Sequence, residues 1–207
     1  MKKLFIAAIA VFGFATANAQ YVAEKGDFQT SINFRPFNNG DNEMFSNVGF
    51  NAAYFVSNKD AIRLNLNIDS ESTKDADSKF EFGINLGYER HFKAYDRVDL
   101  YAGGQLKFKT STEKDTYAYG DNKKSKYRTG GETSFGVGAF TGINFYVYKK
   151  LYIGTEIEFA FEHASQKKVQ KPSTENGELK LTESDTAPSS NKLGFNVTPA
   201  LKLGWTF

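Results

Sequence analysis

Lys192-Leu193-Gly194-Phe195-Asn196-Val197-Thr198-Pro199-Ala200-Leu201-Lys202-Leu203-Gly204-Trp205-Thr206-Phe207 is the stretch whose reading decides the fold. Leu193, Phe195, Val197, Pro199, Leu201, Leu203, Trp205 and Phe207 share one parity, and Lys192, Asn196, Thr198, Lys202 and Thr206 share the other. A period of two places these sets on opposite faces of a β-strand. A terminal strand of a soluble sheet rarely needs eight apolar positions in line, whereas a lipid-facing strand spans about 9–11 tilted residues plus interfacial aromatics. The stretch reads as one stave of a membrane barrel. Pro199 lacks an N–H for the ladder, which predicts a bulge beside it.

Seven more alternating segments precede it, for eight in all. Phe28, Thr30, Ile32 and Phe34 alternate with Gln29, Ser31, Asn33 and Arg35; Val48 to Val56 and Ile62 to Ile68 follow, the latter against Arg63, Asn65, Asn67 and Asp69. Phe80 to Tyr88 alternates with Glu81 to Glu89, and Val98 to Phe108 with Asp99, Tyr101, Gln105, Lys107 and Lys109; Phe135 to Phe145 and Leu151 to Phe161 complete the set. Glycines 49, 83, 87, 103, 136, 138, 142 and 154 crowd the wet face, as the inside of a narrow tube demands. Aromatics gather near strand ends as two interfacial girdles. A soluble sandwich would turn the apolar face inward and use shorter strands. The expectation is an all-β, eight-stranded antiparallel up-and-down transmembrane β-barrel.

Connections alternate in length. Short links fall at 57–60, 93–97 and 147–150, and long ones at 37–44, 70–79, 111–131 and 163–191. Bacterial barrels place short turns in the periplasm and long loops outside, which puts both termini on the periplasmic side. The start of the chain agrees: Lys2 and Lys3, the apolar Leu4 to Phe14 and Ala17-Asn18-Ala19 read as a cleaved signal over residues 1–19, leaving one barrel domain over 20–207. Loss of Lys2 and Lys3 takes Lys+Arg from 26 to 24 against 24 Asp+Glu, so no basic excess argues for nucleic acid. Cysteine is absent, which removes disulfides and thiolate chemistry.

The wet parity collects Arg35, Arg63, Glu81, Glu89, Lys107, Lys109, Glu156, Glu158 and Lys202, with Asp69, Asp99, Glu162 and Lys192. Cations and anions spread over most strands are expected to pair within the lumen in place of an apolar core, because confined ions must offset their desolvation. The same groups would line an ion path if they did not. Glu156 and Glu158 lie about 7 Å apart by strand rise, but nothing around them forms a sugar cleft. No cofactor or metal site is expected, since two histidines without ligand-spaced partners make no cage. Among the long loops, 111–131 sets Tyr117, Tyr119 and Tyr127 amid Lys114, Lys123, Lys124, Lys126 and Arg128. Rigid tyrosines beside polar groups make good contact surfaces, and the cations suit phosphate. The 163–191 loop, poor in apolar residues, is expected to be partly disordered.

The leader, eight strands, alternating loops and terminal Leu203-Gly204-Trp205-Thr206-Phe207 resemble the small outer-membrane β-barrel family that includes the OmpA barrel domain and OmpX, in a style similar to such proteins of Bacteroidota. The resemblance implies that Trp205 and Phe207 form a terminal signal read by the barrel-assembly machinery. It also implies an integral protein of the bacterial outer membrane, surrounded by lipid and lipopolysaccharide. Unlike full-length OmpA-type proteins, the protein is expected to carry no peptidoglycan-binding domain after the last strand. The function expected is non-enzymatic, with surface loops that bind an extracellular ligand and a role in envelope integrity. A narrow porin-like channel is the alternative in the transport class. His163-Ala164-Ser165 is similar to the His-x-Ser of lipid A deacylases, with Glu175 or Glu178 as the orienting acid. Gln166 stands where that family has Asn.

Overall fold

The computed structural model describes residues 22–34, 49–72, 77–119, 123–175, 178–184 and 187–207. The leader, Arg35 and the whole of the first long connection fall outside these residues. Strand follows strand throughout: β1 Phe28–Phe34, β2 Gly49–Phe55, β3 Asp60–Ser72, β4 Ser78–Tyr95, β5 Val98–Tyr119, β6 Lys123–Gly130, β7 Glu132–Tyr148, β8 Leu151–Gln166, β9 Gln170–Glu175, β10 Glu178–Glu183 and β11 Ser189–Thr206.

Eight of these close a ring in the order β1-β2-β3-β4-β5-β7-β8-β11, every neighbour antiparallel. The seam lies between the first and last strands, where Gln29 stands opposite Thr206 and Phe34 opposite Leu201. Phe207 N donates to Phe28 O at 2.8 Å and extends that pairing to the last residue. Closure leaves no open edge, so backbone groups are satisfied strand to strand without water.

The alternation sorts side chains as the sequence predicts. Leu193 is 68% exposed, Leu106 63%, Phe135 62% and Ile68 60%, an exterior a soluble protein would not present. Gln29, Ser31, Arg63, Asn65, Glu89, Asp99, Gln105, Asn144 and Lys202 are buried instead. The bulge falls at Pro199: Asn196 stands opposite Glu158 and Ala200 opposite Glu156, so four steps along β11 match two along β8.

Two of the four long connections expected as loops, 111–131 and 163–191, depart from that expectation. β5 pairs with β7 from Val98 to Thr110, then leaves it and pairs with β6 as a hairpin beyond the barrel, from Glu113 opposite Gly130 to Tyr119 opposite Lys123. Gly131 makes the turn from β6 into β7 at φ +130°, where a Cβ would run into the Ser111 carbonyl. In the last connection β8 continues to Gln166, and β9 and β10 pair from Glu175–Glu178 to Gln170–Glu183. Asn176-Gly177 joins that pair in the sequence, the dipeptide with the strongest hairpin preference, and it outweighs the polar composition that argued for disorder. The short links hold: Ser57 Oγ accepts from the N–H of Lys59 and Asp60, and Lys149 takes φ 46° between β7 and β8.

Candidate functional site: the lumen and the surface hairpins

The lumen is filled in layers. At the short-turn end the N-terminal segment folds across the mouth, with Ala23 buried against Ala53, Phe55 and Ala61, and Gly26 N donating to Phe55 O at 2.9 Å. Tyr146, Tyr152, Tyr101 and Phe140 are also buried inside. These aromatics modify the expectation of a small-residue interior. They occupy wet-face positions beside glycines: a Cβ on Gly142 would meet the Tyr101 ring, and one on Gly204 the Tyr152 ring. The glycines make room for the rings.

The middle layer is ionic. Arg63 Nη1 and Nη2 donate to Glu156 at 2.9 and 3.0 Å, and Nη1 also reaches Glu89 at 3.1 Å. Lys202 Nζ donates to Glu156 at 2.5 Å and to the Tyr101 hydroxyl at 2.6 Å, and that hydroxyl donates to Glu156 at 2.9 Å. The Arg63 guanidinium lies 3.8 Å from the Phe140 ring centroid. Bidentate geometry and hydrogen bonds from several donors offset the desolvation of these charges.

His91 belongs to this layer and was not singled out in the sequence. Its Nδ1 lies 2.8 Å from Asp99 and its Nε2 3.0 Å from Glu89, with the ring stacked on Tyr101 at 5.4 Å. Parity is the signal that finds it, since His91 continues the Glu81-to-Glu89 face. Between the layers is a cavity of about 20 Å³ bordered by Gln29, Ser31, Arg63, Glu89, Asn144 and Lys202.

Towards the long loops the lumen widens into a vestibule of about 440 Å³. Lys107 pairs there with Glu158 at 3.0 Å and Glu162 at 2.7 Å, and Lys109 with Glu81 at 2.9 Å. Gln105 Nε2 donates to Glu158 at 2.6 Å and closes the floor. Of the lumen charges named from the sequence, Arg35 lies outside the described residues and Asp69 lines the vestibule, and the others are placed in paired networks. Lys192 reaches Glu132 at 3.4 Å at the rim.

On the β5–β6 hairpin, Tyr117 and Tyr127 meet edge to face at 6.4 Å, and Tyr127 donates to Asp115 at 3.1 Å. The side chains of Tyr119 and Lys123 are outside the described residues. Arg128 ties this hairpin to the next, its backbone N–H donating to Gln170 at 3.0 Å and its guanidinium to the Lys168 carbonyl at 3.1 Å. Asp115 is held below the usual carboxylate range, first by the Thr116 backbone N–H. Asp77, hydrogen-bonded to Asp115, is pushed up.

His163 and Ser165, the pair similar to the deacylase motif, project on the outer face. His163 Nδ1 lies 2.7 Å from Asn191 Oδ1, and Glu175 pairs with Lys180 at 2.6 Å. Glu156 and Glu158, the carboxylates considered for glycoside chemistry, are occupied by cations as described above.

A closed antiparallel ring of eight strands, apolar outside and ion-paired inside, defines a protein of the transmembrane β-barrel class. The chain belongs to the family described as "Putative OmpA-OmpF-like porin family", which matches residues 68–207. Among solved structures it is similar to the N-terminal β-barrel domain of OprF from Pseudomonas aeruginosa, at 10% identity and a TM-score of 0.43, covering 89% of this chain and 100% of that one. It is also similar to Ail, the attachment invasion locus protein of Yersinia pestis, at 12% identity and a TM-score of 0.43, covering 88% and 99%. No curated protein matches the chain.

Proposed function

We propose that the protein is an integral outer-membrane barrel that contributes to envelope integrity without catalysing a reaction, and that its two hairpins bind a ligand outside the cell. The observation that supports this reading is the Arg63, Glu89, Glu156 and Lys202 layer. It fills the section of the tube with paired side chains and leaves a cavity of only about 20 Å³ beside it. A lumen so filled gives the barrel rigidity and leaves recognition to what protrudes from it. Lipid and lipopolysaccharide surround the wall in this reading, and the barrel-assembly machinery reads Trp205 and Phe207 on the last strand. Planar-bilayer recording tests the closed lumen: no steady unitary conductance is expected, and large reproducible openings would overturn it.

The narrow-channel reading draws on one feature, the vestibule of about 440 Å³ lined by Asp69, Glu81, Lys107 and Lys109. The same recordings decide between the two. A lipid A deacylase would lose an acyl chain from cellular lipid A in a Ser165-dependent way, and mass spectrometry is expected to find no such loss.

A further inference from the structure

Inside the vestibule, polar groups of the β3–β4 wall lack partners, although the lysines that face them are paired. Lys107 is held by Glu158 and Glu162, and Lys109 by Glu81. Asp69, directly opposite Glu81 on the neighbouring strand, has no cation among the described residues. Lys79 lines the rim one inward position nearer the mouth than Glu81, and it too makes no ion pair among the described residues. Deeper on the same wall, the amides of Asn67 and Asn85 make no side-chain hydrogen bond among the described residues. Gly83 lies amid these groups, opposite Asn67 on one side and Lys109 on the other. A Cβ there would meet nothing nearer than Asn67 Cβ at 3.6 Å, whereas at the other wet-face glycines named from the sequence it would run into an atom under 3.0 Å away. Those glycines make room for neighbouring groups of the chain. Gly83 leaves a recess that no neighbour takes.

We propose that this recess binds a polar α-amino acid, free or as the first residue of a peptide. The α-ammonium group lies between Asp69 and Glu81. Side chains directly opposite on antiparallel strands have Cβ atoms about 5 Å apart, and like charges placed so repel until a cation comes between them. The α-carboxylate, or the first carbonyl of a peptide, turns to Lys79, about 7 Å along β4 towards the mouth at strand rise. The side chain points the other way, over Gly83, where Asn67 and Asn85 each offer donors and an acceptor. An apolar side chain there would leave both amides unmet. A divalent metal fits less well, because it takes about six oxygen ligands and one of the two carboxylates is already bound by Lys109. Gln105 and Glu158 close the floor beneath, so the cup is blind. Binding here needs neither passage through the tube nor the hairpin surface assigned to recognition above.

The test refolds the full chain into uncharged detergent micelles and follows backbone amide NMR shifts as L-glutamine is added. Shifts are expected at 67–69 and 79–85. N-acetyl-L-glutamine lacks the ammonium group and L-leucine the polar side chain, and each should bind at least about tenfold more weakly, the smaller end of what an unmade hydrogen bond to a charged or buried group costs. Asp69→Asn should weaken L-glutamine by a similar factor. Gly83→Ala should also weaken it by filling the recess, while heat-dependent gel mobility matches the wild type because the added Cβ makes only ordinary contacts. Tyr117→Ser with Tyr127→Ser, out on the β5–β6 hairpin, should change nothing. The peptide Gln-Gly-Gly separates the two sources: binding as tight as that of L-glutamine assigns the site to peptide N-termini, and weaker binding to the free amino acid. Absence of shifts with L-glutamine overturns the proposal. So does undiminished binding by Asp69→Asn or Gly83→Ala, equal binding of N-acetyl-L-glutamine, or loss of the shifts on adding equimolar Mg²⁺.

Discussion

Arg63 grips Glu156 with both terminal nitrogens, at 2.9 and 3.0 Å, across the middle of a tube where the Arg63 side chain is 3% exposed and that of Glu156 12%. Removing one partner strands the other charge in a confined site, which typically costs about 3–5 kcal/mol. Glu156 retains Lys202, so Arg63→Gln is expected near the lower end, about 3 kcal/mol, in urea titrations of the folded barrel read by heat-dependent gel mobility. Arg63→Met, Glu156→Met and Lys202→Met combined should recover part of the loss, because Lys202 would otherwise lose its carboxylate while Glu89 keeps His91. A triple variant weaker than the sum of the single variants would show that the cluster is not the unit that matters.

The glycines facing the rings give a sharper packing test. Gly142→Ala and Gly204→Ala place a methyl into the Tyr101 and Tyr152 rings, and overpacking of this kind costs about 1–3 kcal/mol. Gly104→Ala is the control, because its nearest atom is Gly138 O at 3.6 Å, an ordinary contact. If all three variants melt alike, the rings are not seated as described.

How legible was this in the sequence? The ring was legible because lipid on one side forces strict alternation, and Leu193 to Leu203 or Ile62 to Ile68 could be assigned to a face by parity alone. The lumen charges were legible for the same reason. What parity does not give is who meets whom. Lys202 and Glu156 come together through a register that the bulge at Pro199 shifts by two residues, and no local pattern encodes that shift. Tyr101, Tyr146 and Tyr152 shared parity with polar neighbours, yet their place inside depended on glycines of adjacent strands. The hairpins were missed because composition was weighed over pairing: Asn176-Gly177 was a turn signal in plain view, whereas β6 pairs only with the part of β5 that outruns β7.

The terminal aromatic separates folding from delivery. Phe207 contributes its backbone N–H to Phe28 O at 2.8 Å, a bond that Phe207→Ala retains. Refolding of that variant into detergent micelles should therefore match the wild type within about 1 kcal/mol. If Phe207 is read by the assembly machinery, the level of inserted protein in cells should fall several-fold. Equal losses in both settings would make Phe207 a packing residue instead of a signal.

Wall and hairpin are expected to fail independently. The ring needs β5 only as far as its pairing with β4 and β7, and β7 pairing ends at Thr110 opposite Thr133. Replacing 114–128 by a short polar turn removes β6 and the Arg128 ties to Gln170 and Lys168. Insertion and heat-dependent mobility should persist, while binding at the cell surface weakens. Leu66, opposite Phe50 and Ile84, sits on the outer face near the middle of β3. Leu66→Arg puts a cation into hydrocarbon at about 2–4 kcal/mol and should lower the inserted fraction steeply. Fractionation of cells expressing each variant checks both outcomes. A trimmed chain that fails to insert while Leu66→Arg inserts normally would mean that the hairpin holds the barrel together and that the assigned lipid face is wrong.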